Sequence, residues 1–271
     1  MAGAASASIV LGILGFLAAE AWPALRDVGL LRLLTDDAWY PSEAQFGQAP
    51  MLLGSLLVML GAVLLAAPIG TLVALHCHFV APPRLAAVQR RIVEVLGGIP
   101  SVVYGLWGLV VLVPWLAPLA PPGTSLFAGI VVLAVMVLPT MAITADAAFA
   151  AVAPELLASA AALGLTRWGT LRAAVLPAAR SALLSGLILQ SGRALGETMA
   201  VLMVCGNIVQ VPSSLLEPVR TLTANIALEM AYASGTHRAA LFASGLLLAV
   251  VVALLVAAAA ALSRSHARRT P

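Results

Sequence analysis

Long apolar stretches alternate with short clusters of charge along this chain. Residues 2–19, 44–83, 95–145, 181–192 and 239–263 contain no Asp, Glu, Lys or Arg, and one helix needs about 20 apolar residues to cross a bilayer. The run at 95–145 is long enough for two crossings, so the pattern predicts six spans, at about 3–21, 51–75, 95–113, 126–145, 182–204 and 239–262. Trp22 and Pro23 end the first span, an indole suiting the headgroup level and a proline discouraging continuation. Residues 24–50, with Asp27, Asp36, Asp37 and Glu43, read as an external loop. Pro118, Pro121, Pro122 and Gly123 form the turn after the third span. In the last external segment, 212–235, Pro218 is expected to start a short helix with Val219, Leu222, Ile226 and Met230 on one face.

Between spans four and five lies the one long segment of soluble-helix character, 146–180. Pro154 and Glu155 suit a helix start and Gly164 its end, Thr166 can cap a second short helix, and Pro177 is expected to close it. The prediction is a helix-turn-helix outside the membrane at 153–178. Its apolar residues Leu163, Leu165 and Trp168 suit either a partner's groove or the membrane surface.

Composition fixes the class. With 62% hydrophobic residues, 9% charged residues and a mean hydropathy of +1.06, this is an all-α integral membrane protein, read as a single membrane domain over 1–271. The formal net charge is +3, but all fourteen basic residues are scattered arginines, which argues against a nucleic-acid partner. Nine of them (84, 90, 91, 167, 172, 180, 264, 268 and 269) fall on one side of a six-span topology and four (26, 32, 220 and 238) on the other. The positive-inside rule then puts both termini and the 153–178 loop in the cytoplasm. Residues 9–18 followed by Ala19-Glu20-Ala21 resemble a signal-peptide core, but the positive leader is missing and a retained span is expected. Cys77 and Cys205 sit on different apolar segments, against a disulfide framework. His76, Cys77 and His78 are adjacent on a helix and point apart, so no metal is expected.

Two charges break the fifth span. Between residues 181 and 216 the only ionisable side chains are Arg193, Glu197 and Cys205, and each charge at mid-membrane costs about 2.5 to 3.5 kcal/mol on insertion scales. A continuous helix puts Arg193 and Glu197 on one face, beside a small-residue stripe of Gly192 and Gly196. They serve either as a permanent ion pair that permits burial or as the charged face of a polar path. Arginine first and glutamate fourth is the weaker intrahelical order, which favours the path. The stretch GGIPSVVYGLWG at 97–108, with Pro100 and Gly105, allows either close helix packing or a broken, gating helix.

The 153–178 loop resembles the coupling motif of ABC importer permeases, Glu-Ala-Ala, three residues, Gly, then hydrophobic-x-Leu-Pro. Gly164 and Leu176-Pro177 stand at the motif's separation and Ala160 matches. Ala158 replaces the motif's glutamate, Ser159 its first alanine, and Ala174 occupies the hydrophobic position. GGIPSVVYGLWG, ALGLTRWGTLRAAVLPAARS and GRALGETMAVLM, in that order, are together similar to the phosphate importer permeases of the PstC type. The resemblance implies a type I ABC importer permease: a polytopic bundle of about six spans in the bacterial inner membrane with a cytoplasmic coupling helix-turn-helix. It implies a second homologous permease, two ATP-binding subunits and a periplasmic phosphate-binding protein as partners, besides membrane lipid. It also implies ATPase coupling through Glu155, Ser159, Ala160, Gly164, Leu176 and Pro177. The chain has no GxxxxGK[ST] loop, so ATP-Mg belongs to the partner and no cofactor is expected here. Arg193 would offer phosphate a planar fork of donors. Glu197 would orient it and accept from the hydroxyl of hydrogen phosphate, a donor that sulfate lacks. The rival readings are a permease for sulfate or molybdate and a self-sufficient channel or secondary transporter. No nucleophile-base set supports an enzyme.

Overall fold

The computed structural model describes residues 2–267, and helices dominate it. Helix α1 (Ala2–Ala24) passes through Pro23 into a widened π turn (Leu25–Gly29) and then α2 (Leu30–Thr35). The expected loop from residue 24 is therefore helical as far as Thr35. The π turn follows two residues after Pro23. A short antiparallel hairpin follows, β1 (Trp39–Tyr40) with β2 (Gln45–Phe46), in the register Trp39 to Phe46.

Helix α3 (Ala49–Leu75) carries Pro68 and runs into a π turn (His76–Val80). Amphipathic α4 (Pro83–Gly97) comes next, and the chain leaves helical geometry before α5 (Ser101–Trp107), a π turn (Gly108–Leu112) and α6 (Val113–Leu116). The third span thus starts at Ser101 rather than at Val95. Pro100 disfavours helical geometry at Ile99, and the Gly97-Gly98 pair ahead of it adds no side chain to resist the break.

Helix α7 (Leu126–Ala150) leads to α8 (Pro154–Ala162) and α9 (Arg167–Thr170), then through a π turn (Leu171–Val175) into α10 (Leu176–Leu195). Pro177 does not close a short helix: the helical path runs on from Arg167 to Leu195. The widened turn lies just before Pro177, where an ordinary turn would set the ring against the carbonyl four residues back. The fifth span is not the continuous helix expected at 182–204. It stops at Leu195 and restarts as α11 (Met199–Val204). Helix α12 (Leu222–Glu229) starts at Thr221, whose hydroxyl accepts from the Ala224 N–H at 3.2 Å, and not at Pro218. The last helix is α13 (Gly235–Ala267). Arg268 and Arg269 lie outside the described residues.

Among the described residues, five helical stretches suffice by length and composition to cross a membrane, and six if the broken pair formed by α4 and Ser101–Leu116 counts as one. The chain clusters into two compact units. One holds the chain up to Leu60, Ser101–Leu133 and Leu195–Leu254; the other holds Gly61–Pro100, Ala134–Ala194 and the chain from Leu255.

In the first unit Ala21, Trp39, Phe46, Met51, Leu222 and Leu241 share a buried cluster. Gln48 donates to the Ala240 carbonyl at 3.0 Å, and Ser55 accepts from the Leu222 N–H at 2.9 Å. In the second, the ends of α3 and α7 and the start of the α9–α10 path pack through Ala74, Phe149, Val152, Leu171 and Val175, with Leu157 of α8 against them. Thr140 of α7 donates to buried Gln190 of α10 at 2.7 Å.

Candidate functional site

The expected helix-turn-helix is built by local chemistry. Helix α8 ends in a left-handed cap: Gly164 has φ +68°, its N–H donates to the Ala161 carbonyl at 3.0 Å, and the Leu165 N–H reaches the Ala160 carbonyl at 3.1 Å. This is the six-to-one and five-to-two bonding of a Schellman cap, for which glycine is the residue without a Cβ penalty. Thr166 caps the next helix by accepting from the Gly169 N–H at 3.2 Å. Leu163 is 79% and Trp168 67% exposed. Glu155 and Ser159 are exposed, with the Ser159 hydroxyl turned back onto the Glu155 carbonyl at 2.9 Å, whereas Ala160 is buried. Leu176 and Pro177 stand at the head of α10. The loop thus anchors itself at Ala160 and Leu157 and presents residues 161–168 outward.

Arg193 lies in the last turn of α10 with its side chain exposed, where a cation suits the negative end of a helix. Gly196 turns the chain out of the helix, and Glu197 and Thr198 are non-helical. The expected one-face arrangement of Arg193 and Glu197, with a Gly192 and Gly196 stripe, required a helix through both, and the helix ends at Leu195. Arg193 falls near the end of one unit and Glu197 near the start of a segment of the other. The Glu197 carboxylate instead accepts from the Ala200 N–H at 3.2 Å, at the head of α11. Its carbonyl accepts from the Thr223 hydroxyl at 2.8 Å.

The α5 and α11 helices meet closely. A Cβ on Gly105 would lie 2.9 Å from the Ala200 Cα and 2.9 Å from the Met203 Sδ, and one on Gly108 would meet Val132 and Val204. Pro100 stands immediately before α5.

Two polar centres escaped the sequence reading. Glu229 is buried and accepts from the Trp39 indole N–H at 2.9 Å and from Arg220 at 2.7 Å, with His237 Nε2 at 2.9 Å. Asp146 takes a two-pronged bond from Arg90, at 2.9 and 3.0 Å, with His78 Nδ1 at 3.4 Å. Trp39 lies 190 positions from Glu229, and Arg90 and His78 lie 56 and 68 from Asp146, so no spacing rule finds them; Arg220 and His237 flank Glu229 at 9 and 8 positions. Asp146 left one clue, because it ends the longest uncharged run. His76 and Cys77 both turn to Gln89, at 3.1 and 3.2 Å. Among the described residues there is no group of three His, Cys, Asp or Glu side chains placed to hold a metal.

Residues 66–270 match the family described as the binding-protein-dependent transport system inner membrane component. The chain belongs to that family. Among its curated relatives, the probable ABC transporter permease protein YqgH of Bacillus subtilis is 38% identical over 232 residues, covering 83% of this chain and 75% of the relative. The phosphate transport system permease protein PstC of Mesorhizobium japonicum is 35% identical, covering 91% of this chain and 83% of the relative. Of solved structures, an inward-facing MetNI methionine ABC transporter shares the fold with a TM-score of 0.64 at 20% identity, covering 79% of this chain and 93% of that one. A bacterial ABC transporter that imports alginate gives 0.62 at 19% identity, covering 90% and 89%. The family member described here is a PstC-type permease subunit of an ABC importer and a multi-pass inner-membrane protein.

Proposed function

We propose that this permease carries phosphate inward as half of the translocation path of an ATP-driven importer, with a second permease, two ATP-binding subunits and a periplasmic phosphate-binding protein as its partners. The observation that carries the reading is the similarity over most of the chain to permeases named for phosphate transport. The exposed Arg193, on a segment otherwise apolar enough to span, supplies the matching chemistry. Arg193 is the ion contact. Both termini and α8 lie in the cytoplasm, a reading that the arginine distribution supports. There the exposed Leu163, Leu165 and Trp168 dock on the ATP-binding subunit, and the loop held by Gly164 passes its motion to the spans. ATP-Mg is bound and hydrolysed on that partner. The test is radiolabelled phosphate uptake by the assembled complex, with sulfate and molybdate as competitors. Uptake that needs ATP, resists both competitors and falls at least tenfold in Arg193→Ala is expected, since losing a charged contact to the ion removes about 1.5 kcal/mol or more. Normal uptake by a normally assembled Arg193→Ala complex would remove Arg193 from the path. Competition by sulfate or molybdate favours the other-oxyanion permease, and uptake without ATP favours a channel or secondary transporter.

A further inference from the structure

Helix α4 is attached to its surroundings in an unusual way. Only Ala86 of its fifteen residues is buried, and Leu85, Val88, Ile92 and Val95 are all exposed. Apolar packing therefore does little to hold it. Its attachments are polar or end-on: the fork from Arg90 to Asp146 on α7, Gln89 bonded to His76 and Cys77 at the end of α3, and Gly97 facing Ile143 and Pro139 of α7, whose atoms would lie 3.6 and 3.7 Å from an added Cβ. Arg90 meets Asp146 and Gly97 meets residues one to two turns earlier on α7, so α4 runs antiparallel beside the last part of that helix. A cavity of about 80 Å³ lies beside the fork, lined by Val73, Ala74, Val93, Ala142 and Ile143. The two helices are not closely packed there, and the fork bridges the gap.

Asp146 also sits on the rigid base of the 153–178 loop. Its neighbours Ala145, Ala148 and Phe149 belong to the buried cluster that holds Leu171 and Val175, with Leu157 of α8 against it, and Phe149 meets the Phe79 ring edge-on at 5.9 Å. A displacement of α8 must move this cluster, because packed interiors transmit strain rather than absorb it. We propose that Asp146 is a positioning residue which, through Arg90, fastens α4 to that base, so that motion of the loop reaches α4 and the Gly98–Pro100 break that follows it. This rests on the reading of the loop as the element that couples to the ATP-binding subunit. The Arg90 and Asp146 side chains are 42% and 26% exposed, and an ion pair so open to solvent contributes little to stability. Its function is therefore geometric: a guanidinium fork fixes direction as well as distance.

The experiment follows ATP hydrolysis and uptake of inorganic phosphate together, in the assembled transporter in proteoliposomes, for Asp146→Asn, Arg90→Gln and Arg90→Lys. The two neutralised variants should keep the wild-type melting temperature and hydrolyse ATP within about twofold of wild type, while phosphate carried per ATP falls about fivefold or more. Arg90→Lys, which keeps the charge but not the planar fork, should recover part of the loss. Phosphate per ATP within about twofold of wild type in both neutralised variants overturns the inference. A parallel fall of hydrolysis, uptake and melting temperature does so too, since that is how a purely structural pair behaves. If Asp146→Asn does not assemble, Asp146→Glu, which keeps the charge but displaces the fork by one methylene, is judged by the same ratio. The loop reading has its own control. Cysteines placed between Glu155 and Trp168 should crosslink to the ATP-binding subunit; no crosslinks at any of them would refute the loop reading itself. Crosslinks together with an unchanged phosphate-to-ATP ratio would refute only the part assigned to Asp146.

Discussion

The buried Glu229 carboxylate ties Trp39 of the hairpin to Arg220 and His237, which flank it in sequence, and removing it should loosen all three. Its side chain is 9% exposed and that of Arg220 19%. In Glu229→Ala, Arg220 keeps the Asn207 carbonyl and Asn225 Oδ1 as acceptors, at 2.8 and 3.0 Å, while the Trp39 indole loses the one acceptor seen for it. Removing one partner of a buried ion pair costs about 3–5 kcal/mol, and the two acceptors left to Arg220 argue for the low end. The stranded Trp39 N–H adds about 1 kcal/mol. The sum is about 4 kcal/mol, roughly 8–16 °C in melting temperature for a chain of this size. Glu229→Gln keeps one acceptor oxygen but turns an NH₂ group toward a donor, and should lose about half as much. The chain carries its own reporter. Cys205 is 1% exposed and Cys77 5%, so a thiol-reactive fluorophore labels them only as the fold opens. In a Cys77→Ala background the signal comes from Cys205, which lies in the same unit as Glu229. As a control, breaking the exposed Arg238 and Glu20 pair, 3.9 Å apart, should cost less than about 1 kcal/mol. A melting temperature for Glu229→Ala within about 2 °C of wild type would rule out this role for Glu229, because a carboxylate with three partners would then contribute less than one ordinary hydrogen bond.

Other consequences can be checked separately. Gly105→Ala would drive a methyl group against the Ala200 backbone and should cost about 1–3 kcal/mol, read as a lower melting temperature in the same thiol assay; an unchanged value would mean that α5 and α11 separate freely. Glu197→Gln keeps an acceptor for the Ala200 N–H and Glu197→Ala does not, so a structural cap predicts a loss of about 1 kcal/mol in the alanine variant only, whereas a role for the charge predicts that both lose phosphate uptake. The Ser213 hydroxyl and N–H, each 2.7 Å from the Glu217 carboxylate, hold its pKa below the ordinary carboxylate value. That contribution is complete above the ordinary value and is lost as the pH falls through the lowered one. Protection of the Ser213 amide against exchange, corrected for intrinsic rates, should therefore fall in that acidic window, and Glu217→Gln should abolish the pH-dependent part.

What the sequence revealed depended on how local the responsible physics is. The cap at Gly164 and the start at Thr166 were legible because each is set by one residue and a backbone group within five positions of it. The spans were legible as apolar mass. Where helices break was less so: Pro68 sits inside α3 and Pro139 inside α7, yet Pro100 precedes a real break. Proline alone does not decide between the two outcomes. A neighbouring π turn absorbs Pro177, and at Pro100 the preceding glycines offer little helix propensity to oppose a break. The polar centres at Asp146 and Glu229 were illegible for a different reason. Trp39, Arg90 and His78 reach them only after the chain has folded, and a single carboxylate at the edge of an apolar run or in an external segment looks solvated until its donors are seen.

The break at 196–198 changes what the two charges of the fifth span can be. On a continuous helix, Glu197 needed an excuse, and pairing with Arg193 was the obvious one. In the folded chain Glu197 belongs to a non-helical step in an otherwise apolar segment, where exposed backbone groups have no place in lipid and must be met by protein or face a water-filled path. The first answer is visible in its surroundings: its carboxylate meets the Ala200 N–H, and its carbonyl meets the Thr223 hydroxyl. Glu197 thus has structural work that does not involve Arg193. Arg193, exposed in the last turn of α10, is favoured there by the negative end of that helix, which leaves its guanidinium free of any need for Glu197. The pair expected on one helix face therefore stands on separate elements, with Glu197 capping the start of α11 and Arg193 in the last turn of α10.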